Sequence, residues 1–199
     1  MRAIVEADLP VRIAAVIGSH ADAAGLEYAR QKGIATDVID HRLYSTREAF
    51  DTELIRSIDP YAPDLVVLAW FMRILSDGFV QHYTGRLMNI HPSLLPAFPG
   101  LATHRRALEA GVKIHGCTVH FVTPVVDQGP IVVQAAVPVA SDDTAQSLAA
   151  RVLQQEHHIY PQALRWFAEG RLTITHGHVN VKGVATLNPA LRSPWEISS

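Results

Sequence analysis

An α/β fold with a mostly parallel, twisted sheet flanked by helices follows from three observations. Short apolar runs rich in β-branched residues recur along the 199-residue chain. Polar segments with helical period separate these runs, and no repeat, low-complexity tract or linker-like shift in composition divides them. A chain of this length makes one ordinary domain, and its 48% apolar composition supplies a sizeable core. The expected architecture is Rossmann-like and closes with a C-terminal β-hairpin.

The expected strands are residues 12–18, 35–40, 64–69, 87–91, 114–123 and 131–138, each an apolar run of strand length. A helix over 23–32 stops at Gly33, and another over 46–58 starts on a Ser/Thr cap with acidic residues in its early turns. The longest helix, 144–169, is capped by Thr144 or its Asp neighbours and ends at Gly170. Pro161 should break or kink it. The run LTITHGHVNVK alternates as a hairpin turning at His176 and Gly177, and Pro189 and Pro194 beyond it mark a loose end.

Bulk chemistry excludes several function classes. A formal net charge of −2 offers no clustered positive field for nucleic acid or anionic membrane. No apolar run reaches the length of a membrane span, and Glu6, Asp8 and Pro10 stand where a signal peptide would be apolar. Cys117, the single cysteine, has no partner for an intramolecular disulfide or a Cys-based zinc site. It reads as a small buried hydrophobe in a cytoplasmic protein. The eleven histidines, including His115, His120, His157 and His158, show no His-Glu-x-x-His-type spacing, so no metal is expected. His157 and His158 are expected to face outward or support Glu156, and Arg105 and Arg106 to form a solvated helix face.

Chemistry concentrates in two segments. The run Met88-Asn89-Ile90-His91-Pro92 ends a strand and enters a proline-rich loop, at the edge of an open α/β sheet where ligands bind. A two-residue period puts Asn89 and His91 on one side, an amide donor beside a titratable imidazole. Such a pair can hold a developing oxyanion, or it can merely satisfy backbone groups at a strand end. The second segment, His120 to Pro130, carries one carboxylate, Asp127, among turn formers. It is either a turn Asp bound to its own backbone or, if it lies beside His91, the group that makes this imidazole a competent proton donor.

The motifs NIHPSLLPAFPG, AWFMRIL, HGCTVHFVTPVVDQGP and QQEHHIYP, in this order, resemble the phosphoribosylglycinamide formyltransferase family of folate-dependent enzymes. The resemblance runs to about Ile174, so it implies a formyltransferase domain over 1–174 and a remainder of hairpin and tail over 175–199. It implies transfer of a formyl group from 10-formyltetrahydrofolate to the amine of glycinamide ribonucleotide, with Asn89, His91 and Asp127 catalytic. On the folate side it implies Arg47, Met72, Arg73, Ile74, Leu75 and Thr123 together with Asn89 and Asp127. On the glycinamide side it implies Ile90, Pro92 and Glu156. Neither a metal nor a covalent enzyme intermediate is required, the partners are small molecules, and a homodimer is compatible with the fold.

Three departures from the family pattern stand out. The family's first strand and Gly-rich phosphate loop have no counterpart, so by comparison the sequence starts roughly 15 residues late. Loss of that strand should expose apolar surface and two strand edges. Trp70 replaces a usual Gly, where an indole either fills part of the ligand site or packs into space released elsewhere. Gln128 replaces another Gly. The rival expectations are a formyltetrahydrofolate hydrolase, in which water takes the amine's place, and a non-catalytic folate-binding remnant.

Overall fold

A computed structural model describes residues 1–185 and residue 193. The expected loose end at Pro189 and Pro194 lies outside the described residues. From β1 to β4 a helix follows each strand. The order is α1 (Arg2–Val5), β1 (Ala15–Gly18), α2 (Ala24–Gln31), β2 (Ala35–Val38), α3 (Arg47–Ile58), β3 (Val66–Leu68), α4 (Asp77–His82) and β4 (Leu87–His91). Then come α5 (Thr103–Glu109), β5 (Ile114–Phe121), β6 (Ile131–Pro138), α6 (Ala145–Ala168), β7 (Leu172–Thr175) and β8 (His178–Val181). Several strands are shorter than the apolar runs that signal them, because flanking apolar residues pack without joining a ladder.

Strands β1 and β2 pair in parallel as one ladder, and β3–β4–β5–β6 form another. Within the second, β3 and β4 are parallel while β5 is antiparallel to both neighbours, so β3, β4 and β6 run the same way. Every residue of β1 and of β3 is only half-buried, although a central parallel strand is normally covered on both faces.

One core cluster lies against α6 and contains Met88, Cys117, Val119, Leu148, Val152 and Leu164. The other, with Phe50, Leu54, Phe79, Tyr83 and Leu87, lies against α3 and α4. Cys117 is fully buried and burial pushes its thiol up to about 12, which fits an inert core residue. The C-terminal hairpin turns at His176 and Gly177, both with positive φ as a two-residue turn requires, and Leu172, Val179 and Val181 add to the α6 cluster.

The start of α6 is held by a reciprocal cap. Thr144 Oγ1 accepts from Ser147 N at 3.1 Å, and Ser147 Oγ accepts from Thr144 N at 2.9 Å. The break expected at Pro161 does not occur: the helix runs unbroken from Ala145 to Ala168. Its turn around Pro161 is buried, and Tyr160 Oη donates to the Leu68 and Met88 carbonyls at 2.8 and 2.9 Å, tying the helix to the sheet. This packing offsets the roughly 3 kcal/mol that an interior proline costs.

Candidate functional site

Strand period two holds in β4: Met88 and Ile90 pack toward α6, while Asn89 and His91 turn to the other side. His91 Nε2 lies 3.0 Å from the Phe98 carbonyl and so carries a hydrogen, leaving Nδ1 as the ring atom that faces the site. Asp127 Oδ2 is 3.5 Å from His91 Nδ1, an ion-pair separation, and accepts from Gly100 N at 2.8 Å. One carboxylate therefore joins the His91 strand end to the loop that follows it.

The route by which Asp127 reaches His91 is indirect. Strand β5 pairs antiparallel with β4 in the register Asn89↔His120 and His91↔Thr118, and Val122 N donates to Leu87 O. The 122–130 loop thus leaves the sheet beside the amino end of β4 and folds back over its face. Gly129 permits this fold: a Cβ there would lie 1.7 Å from Phe121 O. Asp127 itself adopts φ +55°, a left-handed conformation that Asp tolerates.

His120 is a site residue that the sequence offered without a role. Its Nδ1 donates to Phe121 O at 2.9 Å, so its Nε2 accepts from Asn89 Nδ2 at 3.4 Å. Burial pushes this ring below the ordinary histidine value. A neutral His120 makes the 3.9 Å approach of its Nε2 to Asp127 Oδ1 a contact and not an ion pair. One hydrogen of the Asn89 amide is thereby fixed, and the other is free for a ligand.

Behind the loop, Thr118 Oγ1 accepts from Leu95 N at 3.0 Å and donates to Ser93 O at 2.7 Å. His115 Nε2 meets His104 Nδ1 at 3.2 Å, with the Pro92 carbonyl on its other side. Burial pushes His115 from 6.5 down to about 4. A depressed histidine adds its full stability above pH 6.5, and this is lost as pH falls toward 4, when the unfolded chain takes up the proton first. The loss at pH 5 is about 2 kcal/mol. The drop in unfolding free energy from pH 7 to pH 5 should therefore shrink by that amount in His115→Gln, measured by urea denaturation; an unchanged drop would reject the account.

The remaining residues fall into two regions. Met72, Arg73, Ile74 and Leu75 follow β3, with Met72 and Ile74 exposed, Leu75 at the edge of burial and Arg73 stacked 5.2 Å over the Phe50 ring. Arg47, in the first turn of α3, lines a cavity of about 450 Å³ with Asp51, Ser76 and Phe79. Thr123 starts the Asp127 loop, its Oγ1 donating to Val125 O at 3.2 Å. Across the sheet edge, Ile90 and Glu156 share a recess of about 80 Å³ with Trp70, Tyr160 and His157. Burial raises the Glu156 carboxyl. Pro92 is half-buried, and His157 and His158 are exposed on α6. Arg105 pairs with Glu109 as a solvated face would, but Arg106 donates to Pro99 O and supports the His91 loop.

Trp70 packs into no released space. It is 82% exposed and holds φ +59°, a conformation that costs a non-glycine residue about 1 kcal/mol. Trp70→Gly is therefore expected to raise Tm by about 2–4 °C in a thermal melt. A lower Tm would mean that the indole makes stabilising contacts.

The formyl transferase family profile matches residues 1–164. The chain is 59% identical to Escherichia coli phosphoribosylglycinamide formyltransferase over 160 residues, covering 80% of this chain and 76% of that protein. A Coxiella burnetii phosphoribosylglycinamide formyltransferase structure superposes with a TM-score of 0.86 at 47% identity, covering 92% of this chain and 87% of that one. A Symbiobacterium toebii glycinamide ribonucleotide transformylase superposes with a TM-score of 0.87 at 50% identity, over 90% and 87% of the two chains. With the profile spanning most of its length and the overall architecture shared with these structures, this chain belongs to the formyl transferase family.

Proposed function

We propose that this protein transfers the formyl group of 10-formyltetrahydrofolate to the primary amine of glycinamide ribonucleotide, a step of purine synthesis, in the cytoplasm, with residues 1–174 as the catalytic domain. The observation that carries the reading is the Asp127 carboxylate held between His91 Nδ1 and Gly100 N, next to a half-committed Asn89 amide. When bound, the folate supplies an activated formyl carbon. Attack by the amine moves the carbonyl π electrons onto oxygen, and the free Asn89 N–H and the Nδ1–H of a doubly protonated His91 ring donate to that developing charge. Asp127 orients Nδ1 and positions a water that carries the proton from the attacking nitrogen to the departing folate nitrogen as the old C–N bond breaks.

The exposed apolar side chains of Met72 and Ile74 suit the face of a flat heterocycle. On this reading the Met72–Leu75 segment with Arg73, Thr123 and Arg47 holds the folate. Ile90, Pro92 and Glu156 hold the glycinamide substrate, with the Glu156 carboxyl accepting from its hydroxyls.

The test is mass-spectrometric detection of formylated product and tetrahydrofolate after incubation with both substrates. It is run with both substrates together and with 10-formyltetrahydrofolate alone. Formylated product is expected with both substrates, in step with tetrahydrofolate. Hydrolysis to formate with no product amide, or no turnover at all, would overturn the proposal.

A further inference from the structure

Trp70 carries a backbone cost without a return in packing. Its φ of +59° is a conformation that glycine adopts freely, yet the residue there has the largest of all side chains and is 82% exposed. The neighbours account for the turn and not for the indole: Phe71 packs on the Phe50 cluster, while Ala69 borders the recess that holds Ile90 and Glu156. A strained residue that gives the core nothing and stands at a ligand recess is strain kept for a site. The other walls of the recess narrow what the indole meets. Tyr160 commits its hydroxyl to the Leu68 and Met88 carbonyls, so it offers ring surface alone. Ile90 and Leu153 add apolar surface. Glu156 is half-buried, and its carboxyl has no hydrogen-bond partner among the described residues, which leaves it to accept from a ligand. An indole face and a carboxyl acceptor in one small recess suit a molecule with C–H groups on a face and hydroxyls at its rim. A furanose ring has that form; a flat heterocycle would leave the carboxyl without a donor.

We infer that Trp70 determines acceptor specificity: its indole packs on the C–H face of the acceptor's ribose while Glu156 accepts from the ring hydroxyls, so ribosylated glycinamide is selected over the free amine. The inference rests on the formyl-transfer reading and deepens it, giving the acceptor side a residue that binds the sugar and takes no part in the chemistry at the formyl carbon.

The test is steady-state kinetics and intrinsic fluorescence of Trp70→Gly and Trp70→Phe beside the parent chain. Trp70→Gly is expected to raise the KM for glycinamide ribonucleotide about tenfold, with kcat and the KM for 10-formyltetrahydrofolate within about twofold. Because the same variant relieves backbone strain, acceptor affinity falls while Tm rises, the opposite of what lost packing gives. Trp70→Phe keeps a ring face and is expected to recover most of the affinity. Ribose 5-phosphate is expected to shift the emission of the parent and to leave unchanged that of Trp70→Phe, in which Trp166 and Trp195 remain. An unchanged or lowered acceptor KM in Trp70→Gly would overturn the inference, as would a raised folate KM in its place. A parent chain that forms no product overturns the formyl-transfer reading, and this inference falls with it.

Discussion

His91→Ala is expected to lower kcat/KM for formyl transfer by about a thousandfold while leaving the Kd for 10-formyltetrahydrofolate within about threefold. The asymmetry follows from where the ring's hydrogens go. Nε2 is committed to the Phe98 carbonyl, so Nδ1 is the one ring atom free to donate to charge that develops only after attack. An interaction made in the transition state and absent from the ground state acts on kcat and not on binding. Isothermal titration with the folate beside steady-state kinetics separates the two. A parallel loss of affinity and turnover would make His91 a packing residue, a role its 5% exposure also permits.

Asp127→Asn is expected to reduce kcat/KM by a factor of roughly 100 to 1000 and to cost no more than about 1 kcal/mol of stability. Asn tolerates the left-handed φ of +55° at least as well as Asp, so the loop keeps its path. Its single acceptor oxygen retains the Gly100 N–H, which turns the amide hydrogens toward His91 Nδ1. His91 then accepts where it should donate, and the proton-carrying water loses its base. Kinetics paired with a denaturant melt tests this: large stability loss with matching loss of activity would show that Asp127 merely ties the loop to Gly100.

Much of this was legible in the chain. Apolar runs of strand length and caps such as Thr46 and Thr144 mark elements through interactions spanning three or four residues, which is why most strands and the long helix lie where expected. The short helix α4, of 6 residues, left no comparable period, and α5, of 7, was legible only through the expected helix face of Arg105 and Arg106. Pro161 misled because its local penalty is outweighed by contacts of Tyr160 with carbonyls 72 and 92 residues away in sequence. His120 was visible as a residue but not as the partner of Asn89, since that pairing depends on an antiparallel register no local pattern encodes.

The chain alone thus specified the kinds of chemistry present: an amide and an imidazole on one side of a strand end, a carboxylate in a Gly/Pro loop, and motifs that resemble one family. Folding in three dimensions added their meeting. Asp127 reaches His91 because a loop that leaves at the far end of β4 folds back over the sheet, and the neutral state of His120 arises from burial. The physical reason is one of range: periodicity and capping act between neighbours along the chain, whereas loop closure, desolvation and strand pairing are settled by groups that only the whole fold brings together.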